Sequence, residues 1–180
     1  MKNFKKVTRG EIRNNVSFSE FAKVFKVYES YPFYESWSDE ELKQEYDFVS
    51  KNNGCIFGYY LDNECVSMII IYPMVLGEHP VKYPEDKKVM YLSDIATIRE
   101  YRGHGFALKL FDKALEHTKV LGYDYIYLRT NYDERVSMSA GIARKFGFKR
   151  MDGIDQIVTK MRINGIVGDD RRMFMDKKLK

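Results

Sequence analysis

Residues Ile95 to Ala107 read Ile-Ala-Thr-Ile-Arg-Glu-Tyr-Arg-Gly-His-Gly-Phe-Ala, an apolar run that passes through two closely spaced glycines into a helical pattern. No other stretch limits the possible folds as strongly. Glycines one residue apart let the backbone take positive φ without a Cβ clash, and they clear side chains from several N–H groups at once. The helix they open is expected from about Gly105 to Leu121, with Ala107, Leu110, Phe111, Ala114, Leu115, Thr118 and Leu121 at i, i+3, i+4 spacing. Its positive dipole end then lies at the loop, where Arg102 and His104 add donors, and the junction suits a diphosphate.

Other phosphate-binding patterns fail residue by residue. A dinucleotide fingerprint needs Gly or Ala where this chain has Leu108, and a P-loop needs a Gly-Lys-Ser/Thr that is absent. What remains is Arg-x-x-Gly-x-Ala, formed by Arg102, Gly105 and Ala107 directly after an apolar strand.

At 180 residues the chain is long enough for one full core and short for two, so a single domain over 1–180 is expected. The formal net charge of +4 is mild, and Lys and Arg are scattered among 26 acids, which does not imply a polyanion partner. No apolar run approaches the roughly 18 residues that span a bilayer, and no apolar segment follows the N-terminal lysines. A cytoplasmic protein without membrane or nucleic-acid partners is expected. The two cysteines fall on consecutive strands joined at Asp62-Asn63. Pairing Leu61 with Glu64 sets Cys65 opposite Tyr60 and Cys55 opposite Ile70, so both thiols are expected to stay reduced.

A first strand is expected near Phe4 to Thr8. Ser17-Phe18-Ser19-Glu20 is a capping box that starts a helix with Phe18, Phe21, Ala22, Phe25 and Tyr28 on one face, ended by Pro32. A second box, Ser38 to Glu41, opens a helix through Leu42, Glu45, Tyr46 and Val49, closed by Asn52-Asn53-Gly54. Cys55–Leu61 and Cys65–Tyr72 form a hairpin. Pro73 to Lys88 is too long and too rich in breakers for a tight turn, and is either functional or a surface insertion. Val89 to Ile98 feeds the glycine loop, and Tyr123 to Arg129, apolar or aromatic on both faces, is a covered central strand. Strand, crossover helix and strand make a right-handed parallel unit. Val136 to Phe146 is helical and runs into Gly147-Phe148. A strand near Ile157 to Ile163, Asn-Gly and Gly-Asp-Asp turns, and a strand from Arg172 to Leu179 complete a mixed α/β sheet flanked by helices on both faces.

This order resembles the GNAT superfamily of N-acyltransferases over essentially the whole chain. The specific matches are Asp94-Ile95-Ala96-Thr97 as the family's fourth strand, Arg102 to Ala107 as its diphosphate loop, and Lys145-Phe146-Gly147-Phe148 after its fifth strand. The resemblance implies a mostly antiparallel sheet with splayed parallel strands 4 and 5, and acetyl-CoA as co-substrate in the gap. Backbone groups of Ile95, Ala96 and Thr97 would hold the pantetheine arm. The amides of Arg102, Gly103, His104, Gly105, Phe106 and Ala107 would hold the diphosphate, with further contacts from Asn131 and Ser139. His104 either meets a phosphate or faces solvent. His79 and His117 are isolated, and no Cys/His spacing suggests a metal.

Acyl transfer needs a neutral amine, a polarised thioester and an exit for the thiolate. Asp94 is the candidate base, being a carboxylate in a run with Met90, Leu92, Ala96 and Ile98 on its own side, where a charge is costly unless paired. The alternative is that it only accepts hydrogen bonds at a bulge. The position of the family's tyrosine acid is Ala143, which cannot donate a proton, and its usual helix Asn is Val136, whereas Ser139 and Lys145 match a variant. Tyr132 or Tyr127 is then the acid, or the thiolate leaves unaided. Tyr31, Phe33, Tyr34 and Trp37, with Glu29 and Glu35, are candidates for an acceptor wall suited to an amine.

The expected activity is acetyl transfer to a primary amine of a small molecule or peptide by direct attack in a ternary complex, with homodimer formation left open. The alternative is a non-catalytic acyl-CoA-binding module. A third reading, a nucleic-acid adaptor, rests only on Arg171-Arg172 and Lys177-Lys178.

Overall fold

The structure is a computed structural model that describes residues 10–133 and 138–180. The strand expected at Phe4–Thr8 and the residue Val136 lie outside the described residues. The elements run β1 (Glu11–Arg13), α1 (Phe18–Phe25), a 3-10 turn (Lys26–Glu29), α2 (Asp39–Lys51), β2 (Cys55–Leu61), β3 (Glu64–Pro73) and β4 (Val89–Thr97). A second 3-10 turn (Arg99–Tyr101), α3 (Phe106–Val120), β5 (Tyr125–Asn131), α4 (Ser139–Lys145), β6 (Lys149–Met161) and β7 (Val167–Lys178) follow. The sheet order is β1-β2-β3-β4-β5-β7-β6, and β4 with β5 is its parallel pair. Among the described residues no helix is long and apolar enough to cross a membrane.

Both capping boxes form. Ser17 Oγ accepts from the Glu20 amide while Glu20 Oε2 accepts from the Ser17 amide at 2.8 Å, and Ser38 with Glu41 repeats the exchange. The first helix stops at Phe25, short of the Tyr28 that the pattern included, and tightens into a 3-10 turn. That geometry stacks i over i+3, so Tyr28 meets Phe25 edge-on at 5.0 Å, and Phe25 also meets Trp37 at 5.0 Å. These rings belong to a core layer that α1 and α2 share with one face of the sheet, while α3 and α4 cover the other. Leu110, Phe111 and Ala114 on α3 are fully buried, and each large apolar side chain hidden this way contributes about 1.5–3 kcal/mol.

Three readings from sequence need correction. A bulge in the first hairpin pairs Tyr60 with Cys65 but Tyr59 with Ser67, so Cys55 faces Ile71 rather than Ile70; both cysteines are free. The last two strands begin earlier, at Lys149 rather than Ile157 and at Val167 rather than Arg172, and Gly168-Asp169-Asp170 is strand, not turn. The polar run 149–156 hid the start of β6 because it lies on the sheet edge, where alternation is relaxed, and is interrupted by a register shift between Met151 and Gln156. Arg162 to Ile166 forms the turn, with the Arg162 amide donating to Ile166 O at 3.0 Å.

Candidate active site

The site arises from a single extra residue. In the β3–β4 ladder Ile71 opposes Leu92 and Ile70 opposes Asp94, which leaves Ser93 as a bulge. Up to that point β4 pairs with β5, from Val89↔Tyr125 to Leu92↔Leu128, and there the pairing ends. Beyond it β4 follows β3 alone, and Arg129, Thr130 and Asn131 of β5 follow β7 alone. The two parallel strands therefore splay, and a cavity of about 770 Å³ runs through the gap from the glycine loop to the α1–α2 face.

At the loop end, Gly103 (φ 83°) and Gly105 (φ 76°) take left-handed backbone, and a Cβ on either would meet no atom within 4 Å. Conformation, not crowding, makes glycine necessary here, and the space before the loop is open. Among the described residues, no main-chain hydrogen bond is donated by the amides of Gly103, His104, Gly105, Phe106 or Ala107. They stand at the start of the 15-residue α3, whose dipole adds positive potential. Arg102 Nε donates to Thr97 O at 3.1 Å and ties the loop to the end of β4. Arg102, Gly103, Gly105, Phe106 and Ala107 all line the cavity, whereas His104 is exposed, lies against the Phe106 ring and does not.

In the middle of the gap Ile95, Ala96 and Thr97 line the wall. Their carbonyls already accept protein donors: Ile95 O from Tyr28 Oη at 3.2 Å, Ala96 O from Ser67 Oγ at 2.8 Å and Thr97 O from Arg102. Ile95 and Thr97 stand at non-hydrogen-bonded positions of the β3–β4 ladder, so these two carbonyls each keep a second lone pair, whereas Ala96 O also faces the Met68 amide. Opposite them, the hydroxyls of Thr130 and Ser139 hydrogen-bond one another and face the cavity, and Lys145 lines it too. Asn131 is not part of this surface; it is buried, and its Oδ1 accepts the Asp133 amide at 2.9 Å. Tyr132 is also elsewhere, its ring held between Arg171 at 4.2 Å and Arg150 at 4.9 Å. Tyr127 is buried against His79 and Tyr91, outside the cavity lining, and Ala143 is buried in the core.

The α1–α2 end is where sequence reasoning was least complete. Strict alternation puts Asp94 beside Met90 and Leu92, but the bulge breaks the row. Met90 and Leu92 pack toward α3, whereas Ala96 and Ile98 pack toward α1 and α2. Asp94 goes with the second pair, where it accepts Ser93 Oγ at 2.6 Å and lies beside Tyr28, whose hydroxyl is pushed well up by burial and by the Asp94 charge. Glu45 of α2 and Glu78 of the 74–88 loop line the same chamber. Burial, with the Asp94 and Glu78 charges behind it, pushes Glu45 up to about 7. Glu78 is raised too, chiefly by burial, while Tyr72 Oη donates to it at 2.7 Å. Glu45 left one sign in the sequence, a carboxylate between Leu42 and Val49 on the apolar face of a helix.

Phe33 and Trp37 line the chamber, but Tyr31 and Tyr34 are exposed outside it and Glu29 does not reach it. Glu35 does, fully buried, held by Lys160 Nζ at 2.7 Å and Trp37 Nε1 at 3.2 Å, with Arg172 at 3.7 Å. His79 is not isolated: its Nδ1 lies 3.0 Å from Tyr127 Oη, and burial lowers its pKa to about 4, so the ring packs neutral. The loop is therefore anchored, and contributes Glu78 to the wall. Arg171 bonds Asp155, Arg172 bonds Asp170 and Lys177 bonds Phe146 O, so these cations are engaged within the protein. Among the described residues no group of His, Cys, Asp and Glu could hold a metal.

The profile of the Acetyltransferase (GNAT) family matches residues 21–148. Solved structures of the same fold include an N-acetyltransferase from Staphylococcus aureus Mu50 (TM-score 0.70, 14% identity, covering 96% of this chain and 100% of that one). Another is the NatC complex bound to Gag peptide and CoA (0.66, 16%, 96% and 100%). A third is the ribosomal-protein-S18-alanine N-acetyltransferase from Escherichia coli (0.64, 14%, 96% and 95%). No curated protein matches at the sequence level. Because the profile spans the splayed strands, the glycine loop and the Gly-Phe after α4, the chain belongs to the GNAT acetyltransferase family.

Proposed function

We propose that this protein is an acetyl-CoA-dependent N-acetyltransferase that acts in the cytoplasm on a primary amine by direct attack in a ternary complex. One observation carries the reading: a single cavity joins the Gly103–Gly105 loop, whose amides donate no main-chain hydrogen bond among the described residues, to a carboxylate chamber, through the gap where β4 parts from β5. The loop amides and the α3 dipole suit a diphosphate, and the gap suits the arm that carries the thioester.

In the chamber an amine arrives as its ammonium and must lose a proton before it can attack. Asp94 is the proposed base, and Glu45, pushed up to about 7 by burial and the neighbouring carboxylates, is poised to share or relay that proton near neutral pH. The nitrogen lone pair then adds to the thioester carbonyl, the C–S bond breaks and the electron pair leaves on sulfur. With Ala143 in the core and Tyr127 and Tyr132 outside the cavity, none of these positions supplies the acid, and the thiolate leaves unaided, a thiol being acidic enough for its anion to depart.

Ala143 at the position of the family's tyrosine acid is what favours the second reading, a non-catalytic acyl-CoA-binding module. Thiol release from acetyl-CoA over a broad amine panel separates the two. Turnover of at least one amine, with a pH profile that changes in Asp94→Asn, supports the enzyme; CoA binding without turnover supports the module.

A further inference from the structure

The connection from α1 to α2 and the β6–β7 hairpin are laced together over the chamber. The Ser36 amide donates to Met161 O at 3.1 Å, the Ile163 amide donates to Tyr34 O at 2.9 Å, and Glu35 and Arg162 form the β-bridge between them. Arg162 Nη1 adds a bond to Phe33 O at 2.6 Å, and the Lys160–Glu35 pair lies underneath. An extended peptide that enters a cleft is held through free main-chain groups along an edge. Here the groups of 34–36 and 161–163 that flank the chamber hold each other.

Space and charge point the same way. The cavity of about 770 Å³ has to house an acyl-carrying arm as well as the acceptor, so the acceptor's share is small. Glu35 is balanced by Lys160 and Arg172, whereas Glu45, Glu78 and Asp94 face the cavity with Arg129, which also bonds Gln156. At this end Glu35, Glu45, Glu78 and Asp94 outnumber Arg129, Lys160 and Arg172 by one carboxylate when all are ionised, while the lining cations Arg102 and Lys145 lie with the glycine loop and α4. The rings of Phe25, Tyr28, Trp37 and Tyr91 share that wall, and aromatic faces attract cations.

Resting on the acetyltransferase reading, we infer that the acceptor is a compact primary amine, bound as a cation with an apolar or aromatic body, and that a peptide main chain is excluded by the bridge between residues 34–36 and 161–163. This departs from the peptide named for the NatC structure, which shares the fold at 16% identity.

Trp37 is the chain's one tryptophan and lies in the chamber wall, so its emission reports acceptor binding whether or not acetyl transfer follows. The experiment titrates the protein, saturated with CoA, with 2-phenylethylamine, with the neutral isostere 2-phenylethanol, and with seven-residue peptides bearing a free N-terminus or a lysine. Thiol release from acetyl-CoA is followed in parallel. The amine is expected to bind at least 100-fold more tightly than any peptide and at least 10-fold more tightly than the alcohol, with the second margin shrinking in Glu78→Gln. A peptide that titrates Trp37 as well as the amine overturns the inference, as does an amine that does not titrate it or binds no better than the alcohol. If the amine titrates Trp37 selectively but no thiol is released, the acceptor class stands and the acetyltransferase reading fails.

Discussion

Replacing Glu45 with Gln separates what the chamber costs the fold from what it gives the site. The carboxyl is raised from its ordinary 4.5 to about 7 by burial and by the charges of Asp94 and Glu78. A carboxylate whose pKa is higher folded than unfolded makes the native state bind the extra proton, so its effect is absent below about 4.5 and destabilising once the pH has risen through 7. At about 1.4 kcal/mol per pH unit the penalty reaches about 3 kcal/mol at pH 8, a ceiling because Asp94 and Glu78 carry part of the repulsion. Gln keeps the shape and cannot ionise. The variant should therefore gain up to about 3 kcal/mol on wild type between pH 4.5 and pH 8, roughly 6–12 °C in Tm for a chain of this length. The comparison of two pH values cancels any packing cost of the amide itself. Urea or thermal unfolding of both proteins at the two pH values measures it, and kcat/KM for an accepted amine should fall at the same time. Wild type and variant that keep the same stability difference at both pH values would refute a raised Glu45 and remove the reason to place it in the proton path.

Gly105→Val forces a β-branched residue to φ 76°, at a cost of about 1–2 kcal/mol. The fold should survive while CoA affinity by calorimetry drops at least 10-fold, and unchanged affinity would count against the amide cradle. Tyr132→Phe should leave the rate of thiol release within twofold, because the ring lies between Arg150 and Arg171 outside the cavity; a large loss would return Tyr132 to the mechanism. His79 is depressed from its ordinary 6.5 to about 4 by burial, so its contribution is complete above 6.5 and lost as the pH falls through 4, by about 3 kcal/mol. His79→Gln should remove that acid sensitivity. Because the slopes from His79 and Glu45 oppose each other between pH 4.5 and 6.5, each single variant should tilt the stability profile the opposite way, and parallel profiles would contradict both assignments.

What was legible in the sequence was whatever is written in a short window. Two serine-led boxes gave both first helices their starting residues, and the glycine pair placed α3 to within a residue. Apolar side chains on both faces of residues 123–129 marked the covered strand. What was hidden depended on partners far along the chain. The edge position of β6 is a property of the sheet order and lets Lys149 to Gln156 be strand while looking like loop. Glu35 meets Lys160 across 125 residues, and Glu78 comes from a loop whose sequence announces only turns.

The bulge at Ser93 connects these successes and failures. A period-two reading assumes that no residue is inserted, and one insertion moves every later side chain of β4 to the other face. That shift carries Asp94 away from Leu92 and into the chamber with Glu45. It also ends the β4–β5 pairing at Leu92 and so opens the gap that leads from the glycine loop. The Ile-Ala-Thr-Ile that follows Asp94 is apolar enough to suit either face, so nothing local reveals the change of side. The residue that sequence periodicity assigns wrongly and the cavity that gives the fold its chemistry thus have one cause. In a sheet of this kind, a carboxylate interrupting an apolar strand just before a glycine loop is better evidence of a bulge than of a buried charge.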